Sequence, residues 1–420
     1  MTAPINAAAV AALALDPLDW RFKGLPATWW GRTPADVCAE SPPLFEGGIA
    51  GSAGGDGAVG PVCVLLADAL SANLATMAKW CDDRGVELAP HGKTHMSPQL
   101  LARQLAAGAC AVTAATISQV RIFRAFGVRD VVLANELVDP AALHWLAAEL
   151  DADADFTLVC WVDSLRGVEL MTAGLTAAGA VRPVDVCVEV GMPGGRTGCR
   201  DADGVDAVAR AVTSSPRLRL VGVAGYEAAL GHDLGAETVA GVRAYLADVR
   251  AALLRLAPIM ETDDIITTAG GSTYFDMVAD TLTRWPADLR VRTILRSGCY
   301  LTHDDGLYRR TSPLRGELQS ALRVWAQVVS RPETDLAVLT LGRRDVSFDQ
   351  DLPVPHSLST AHVVKLNDQH AYLRLNGDDA AVGDWVEFGI SHPCTVFDKW
   401  PMIPVLDGDG HVVDLIRTFF

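Results

Sequence analysis

The sequence predicts an α/β protein: a parallel (β/α)8 barrel followed by a smaller C-terminal antiparallel β domain. Three observations lead there. Eight short β-branched runs alternate with Ala/Leu-rich helical stretches. The runs are almost continuously apolar, as strands buried on both faces of a parallel sheet are. From Ala321 onward the pattern changes to closely spaced strands with no long helices between them. These shifts divide the chain into an N-terminal extension (1–60), a barrel (61–320) and a β domain (321–420).

In chain order, the extension begins with the apolar "AAAVAALALDPLDW". No basic region precedes it and no small-residue cleavage site follows, so a secretory signal is not expected. Phe45–Gly60, "FEGGIAGSAGGDGAVG", is too rich in glycine for regular structure and reads as a flexible loop. The barrel strands are "VELAPHG" (86–92), "CAVTAAT" (110–116), "DVVLAN" (130–135), "FTLVCWV" (156–162), "VDVCVEV" (184–190), "LRLVGVAGY" (218–226), "DIITTAG" (264–270) and "RTILRS" (292–297). Eight such units suit a closed barrel, with a doubly wound open sheet as the alternative. Beyond them, "RVWAQVVSRP", "TDLAVLTLG", "HAYLRLNG", "DWVEFGISHPCTVF", "MIPVLDG" and "VVDLIRTFF" supply the β domain.

Composition narrows the function. Acidic residues outnumber basic ones 51 to 35, the formal net charge is -16 and no Lys/Arg-rich run occurs, so a nucleic-acid partner is not expected. Nine cysteines without CxxC pairing, several inside apolar runs, suit a reducing cytoplasm. No apolar run reaches the ~20 residues of a membrane helix, so no membrane partner is expected.

In a barrel the active site gathers at the C-terminal ends of the strands. Here those ends carry "PHGKTH", "ANE", "VGMPGGRTG", "GYEAA", "AGGST" and "RSGCY". Lys93 stands between His91 and His95. An amine buried at such a strand end must be paired or shed its charge, and an uncharged amine is a nucleophile able to hold pyridoxal 5′-phosphate as a Schiff base; the alternative is a lysine that snorkels to the barrel mouth. The glycine pair and hydroxyls of "TTAGGST", Gly270, Gly271 and Ser272 among them, can cradle a phosphate or merely form a turn. Arg196 can bind the coenzyme's phenolic oxygen or make a surface ion pair. Tyr226 can lie against the ring or cap the rim. His91 and His95 tune the lysine or pack.

In "FGISHPCTVF", His392 and Cys394 are two apart in what reads as an extended segment, so both project from one face. Imidazole with thiolate suits zinc, and two protein ligands leave positions open for water and substrate. His303, Asp304 and Asp305 form a further metal candidate by residue type, with a solvated loop as the simpler reading.

Taken in order, "PHGKTH", "GGRTG", "GYEA", "GGST", "SGCYLTHDD" and "GISHPC" resemble the fold-type III pyridoxal-phosphate enzymes, the alanine racemase-like barrels, and among them the D-serine dehydratase and D-threonine aldolase branch. The resemblance covers about Pro61 to Lys399. It implies that Lys93 binds the coenzyme and acts as catalytic base, that Arg196 approaches the phenolic oxygen, that Gly270, Gly271 and Ser272 hold the phosphate, and that His392 and Cys394 hold zinc. In this group the pair is His-x-Cys in dehydratases and His-x-Asp in aldolases, so Cys394 implies dehydration of a D-β-hydroxy amino acid (D-serine, D-threonine or D-3-hydroxyaspartate) to a 2-oxo acid and ammonia. By analogy the chain is a homodimer. Met96 replaces a lysine common in relatives, "GYEAALGH" departs from the Tyr-Glu-Gly-His pattern, and residues 1–60 have no counterpart. The rivals are a metal-dependent retro-aldol lyase, a racemase and a noncatalytic pyridoxal-phosphate carrier.

Overall fold

A computed structural model describes residues 4–45 and 57–420, so most of the glycine-rich Phe45–Gly60 stretch lies outside the described residues. The chain folds as two compact bodies. The first strand, β1 (Val62–Leu66), belongs to the second body.

The first body comprises Ala78–Lys93, Gln104–Gly298 and a short N-terminal piece. It holds β2 (Glu87–Leu88), β3 (Val112–Ala114), β4 (Asp130–Glu136), β5 (Thr157–Val162), β6 (Val184–Val190), β7 (Leu218–Gly225), β8 (Ile265–Ala269) and β9 (Val291–Leu295). These are the eight runs read from the sequence, paired in parallel in the order β2-β9-β8-β7-β6-β5-β4-β3. Apart from β2, strands adjacent in sequence are adjacent in the sheet, without the reversal that marks a doubly wound fold. The two end strands meet through a parallel bridge between His91 and Thr113, and the Thr113 hydroxyl donates to Ala89 O at 2.6 Å.

The apolar runs point Ala89, Val132, Val159, Trp161, Cys187, Val221, Ala224 and Ile294 into one buried cluster, which fills the interior as layered side chains do in barrels. Gly222 lets β7 approach β8: a Cβ there would lie 2.0 Å from Ile266 O. Several outer helices start where a polar side chain accepts an orphan backbone N–H, at Thr116, Asp139, Ser164 and Asp201.

The second body contains Ala7–Met77, Thr94–Arg103 and Cys299–Phe420. Here β1 joins β10 (Leu322–Glu333), β11 (Leu336–Leu339), β12 (Val354–Pro355), β13 (His362–Leu366), β14 (Ala371–Arg374), β15 (Trp385–Gly389), β16 (Met402–Leu406) and β17 (Val412–Arg417). The path runs β13-β14-β11-β10-β1-β16-β17, with β15 pairing β10 and β12. All pairs are antiparallel except β1 with β16.

The bodies therefore do not follow the boundaries read from the sequence: Pro61–Met77, Thr94–Arg103 and Cys299–Ser320 fold with the β strands instead of the barrel. The reason is that β1 is buried on both faces within a sheet. Val62 and Val64 pack on Leu18, Phe22, Leu25 and Trp29 of the extension, while Cys63 and Leu65 face the larger core with Val324, Phe388 and Ile403. The extension thus covers one side of the sheet, and its helix Pro34–Glu40 opens with a Thr33/Asp36 capping box.

Candidate functional site

Lys93 sits in the 3-10 turn Gly92–Thr94, just past β2. The neighbouring Gly92 is packed so closely that a Cβ would fall 2.4 Å from Phe123 Cζ. The turn backbone is thereby wedged against the barrel while the Lys93 side chain is exposed. This corrects the expectation of a buried amine: the turn carries Lys93 beyond the strand end and leaves its side chain exposed.

His91, half-buried, belongs to the chemistry of this rim. Burial lowers its proton affinity well below the usual imidazole value, and the charges of Lys93, Arg296 and Arg196 push it the same way. Its buried Nδ1 has no partner. His95, fully buried in the second body, accepts the Ser97 N–H at 3.0 Å and meets Phe397 edge-on at 6.2 Å, which is a packing role.

Arg196 lies with its guanidinium 4.8 Å from the Tyr226 ring centroid. Its loop is wound around Arg200, which donates to the carbonyls of Met192, Gly195, Arg196 and Thr197. Tyr226 is positioned in turn: its N–H donates to Tyr245 Oη at 2.8 Å, and that hydroxyl donates to Val190 O at 2.7 Å. Glu189, Met192, Arg196, Thr197, Tyr226 and Tyr245 line a small cleft.

The glycine pair was expected to offer its N–H groups to a phosphate. Instead the Gly270 and Gly271 N–H groups donate to the fully buried Glu227 carboxylate, at 3.0 and 2.7 Å. The carboxylate fixes the turn, and Ser272 and Thr273 follow it. Thr273 is 1% exposed and its hydroxyl is buried without a partner. Beside the turn, buried Arg296 donates to Thr268 Oγ1 and to Gly225 O, each at 2.7 Å, and Ser297 Oγ donates to Gly271 O at 2.8 Å. An orphan hydroxyl, an orphan imidazole nitrogen and three cationic side chains acting on one histidine fit an anionic, phosphorylated coenzyme.

Three carboxylates were not assigned a role from the sequence, although the strand end "ANE" carries Glu136. Glu136, Asp163 and Glu189 stand at the ends of β4, β5 and β6 with ligand atoms within 4.8 Å of one another. Burial, then the charge of Glu189, pushes Glu136 up to about 8. Their sequence signal was position alone, since each closes a barrel strand.

In the second body His392 and Cys394 do come together, but not on a strand. The strand β15 ends at Gly389, His392 takes a left-handed φ of 59°, and Cys394–Phe397 is a short helix. The turn, not strand alternation, makes the pair converge. Asp304, expected in a solvated loop, is 2% exposed and holds this turn: Oδ2 accepts the His392 N–H at 2.9 Å, while Oδ1 accepts those of Gly306, Tyr308 and Arg309. His303 is buried too and Asp305 is half-buried between Arg323 and His356, because this segment packs inside the body and is not a surface loop.

His392 Nδ1 lies 2.6 Å from Asp349 Oδ2, which leaves Nε2 for a ligand. Cys394 Sγ lies 3.4 Å from Thr94 Oγ1 and 3.5 Å from Cys299 Sγ. Burial opposes protonation of His392, yet Cys394 and Asp349 outweigh it and push its pKa up to about 9. The hydrogen bond from Cys299 and the interaction with His392 hold the Cys394 thiol well below its usual range against burial. A thiolate beside a carboxylate-oriented imidazole is a donor set that fits a borderline-soft divalent metal.

A parallel eight-stranded barrel with a lysine at its rim and a Gly-Gly turn past β8, on a chain that also carries a mostly antiparallel β body, has the architecture of the pyridoxal-phosphate enzymes of the alanine racemase type. Residues 66–301 match the family described as "Alanine racemase, N-terminal domain", and residues 321–406 match the family described as "Putative serine dehydratase domain". A D-threonine aldolase from Arthrobacter sp. is 32% identical over 321 residues, 75% of this chain and 80% of that protein. The crystal structure of D-threonine aldolase from Filomicrobium marinum is 26% identical and superposes with a TM-score of 0.74, covering 86% of this chain and 95% of that one. A mutant of D-threo-3-hydroxyaspartate dehydratase in the metal-free form, 22% identical, shares the fold with a TM-score of 0.70 over 86% of this chain and 97% of that one. The chain belongs to the alanine racemase-like, fold-type III pyridoxal-phosphate family, and it is a lyase. Among the described residues no helix is long and apolar enough to cross a membrane.

Proposed function

We propose that this chain is a metal-dependent dehydratase of D-β-hydroxy amino acids, releasing ammonia and a 2-oxo acid. The coenzyme supplies an electron sink for the pair left at Cα, and zinc supplies a Lewis acid for the departing hydroxyl. The chain's own groups do the rest. Lys93 would hold the coenzyme through Nζ and would serve as the base for the Cα proton. Arg196 would hold the phenolic oxygen and Tyr226 the ring. Ser272 and Thr273 would hold the phosphate on the turn that Glu227 fixes through Gly270 and Gly271. His392 and Cys394 hold the metal, with Asp349 fixing the imidazole.

The observation that carries the dehydratase reading is Cys394. A thiolate stands in the second position of the pair, where aldolases of this group are expected to carry a carboxylate. A retro-aldol lyase is the second reading, favoured by the 32% identity to a D-threonine aldolase. Product analysis with D-serine, D-threonine and D-3-hydroxyaspartate decides between them. D-Threonine giving 2-oxobutanoate and ammonia supports dehydration; glycine and acetaldehyde defeats it. A homodimer is part of the same proposal, and light scattering of the purified protein checks it.

A further inference from the structure

We propose that Glu136, Asp163 and Glu189 form a cation site within the barrel body, an all-oxygen cup for a hard divalent ion such as calcium, distinct in chemistry from the thiolate–imidazole pair of the second body. The inference does not rest on the dehydratase reading.

Strand alternation builds the cup. Val132 on β4, Val159 and Trp161 on β5 and Cys187 on β6 belong to the barrel's apolar filling, with Ala134 packed against it. The next residues of the same parity are Glu136, Asp163 and Glu189, so three consecutive strands each end that filling with a carboxylate. The register sets Trp161 opposite Cys187, and a shift in β4 sets Glu136 opposite Trp161. One ligand oxygen from each acid lies within 4.8 Å of the others. Oxygens on opposite sides of a calcium ion, at about 2.4 Å each, stand about 4.8 Å apart, so one ion reaches all three without moving a strand. The cup also lacks the partners that would neutralise it. Glu189 is 3% exposed and its Oε2 is buried without a hydrogen-bond partner, as is Glu136 Oε1. Arg296, whose charge reaches Glu189, gives its N–H groups to Thr268 and Gly225. A buried anionic oxygen with no donor calls for a cation. In the ion-free chain, burial and then the charge of Glu189 push Glu136 up to about 8, so it holds a proton at neutral pH. That proton neutralises one acid of three, whereas a divalent ion balances the two that remain charged. Coordination by Glu136 releases its proton to solvent with no change of oxidation state. Three carboxylates favour an oxygen-seeking ion over a thiophilic one, and the half-buried Glu136 and Asp163 leave room for the waters such an ion keeps.

The test is calorimetric titration of calcium into the zinc-loaded full chain, with terbium(III) emission sensitised through Trp161, the cross-strand neighbour of Glu136, as a second readout. Zinc fills sulfur and nitrogen donors beforehand, so calcium reports an oxygen site. The expected result is one saturable calcium per chain and terbium emission on tryptophan excitation that calcium quenches by displacement. Glu189→Gln and Asp163→Asn each weaken calcium binding at least about tenfold, while His392→Ala leaves it within about twofold of wild type. No saturable calcium or terbium binding in the wild type overturns the proposal. So does an isotherm that both carboxylate variants leave unchanged, the behaviour of scattered surface acids. The wild-type measurements stand even if a variant does not fold.

Discussion

Replacing Glu227 by glutamine keeps the side chain's shape and removes one acceptor. In the native protein its two carboxylate oxygens each take one amide N–H, from Gly270 and Gly271, in a site with no solvent exposure. A glutamine has a single carbonyl oxygen, so one amide keeps a partner of lower charge and the other faces an NH2 group. An unpaired buried donor costs about 1–3 kcal/mol, and turning a charge-assisted bond into a neutral one costs about 1 kcal/mol more. If about 2 kcal/mol of that falls on the coenzyme-bound state, affinity for pyridoxal phosphate drops about thirtyfold. Titrating the coenzyme into apoprotein and following visible absorbance measures this directly. Global stability, read by urea unfolding of the same apoprotein, falls by the remainder. A coenzyme affinity within twofold of wild type and an unchanged unfolding midpoint would refute the claim that Glu227 shapes the phosphate turn.

Lys93→Ala abolishes the borohydride-trapped coenzyme adduct and lowers turnover by at least about a thousandfold, the range lost with a positioned base; an adduct formed at another lysine would contradict it. Asp304→Asn, which removes the acceptor of the His392 N–H, destabilises the second body by about 2–4 kcal/mol and weakens zinc binding, checked by denaturant unfolding and competition with a chelator. Glu136 is raised from its unfolded value to about 8, chiefly by burial. The folded state therefore binds an extra proton, and this group's contribution is full below pH ~4.5 and lost as pH rises through about 8. Glu136→Gln removes that fall, so the variant gains on wild type between pH ~4.5 and about 8 by about 1–2 kcal/mol, a figure reduced for the group's partial exposure. Parallel pH profiles of unfolding for the two proteins would contradict the assignment.

The barrel was legible because its signal is local. Each of the eight strands is a short apolar run bounded by turn residues, and a parallel sheet buried on both faces leaves that mark in the chain. Lys93, Arg196, His392 and Cys394 were legible as chemistry because amine, guanidinium, imidazole and thiol are uncommon at strand ends and turns. The body boundaries were not, since β1 reads like any barrel strand and only its pairing with β10 and β16 places it in the second sheet. Positions set by long-range packing were equally hidden. The exposure of Lys93 depends on Gly92 meeting Phe123. The role of Asp304 depends on four backbone amides, one of them 88 residues away.

By itself the sequence determined which elements form and which functional groups are available, because periodicity, turn chemistry and residue type act over a few residues. Only the tertiary structure decided that Glu227 occupies the glycine amides, that Glu136, Asp163 and Glu189 converge, and that Cys299 meets Cys394. Those pairings join residues far apart in the chain, and it is burial, by excluding water as a competing partner, that gives them their energy.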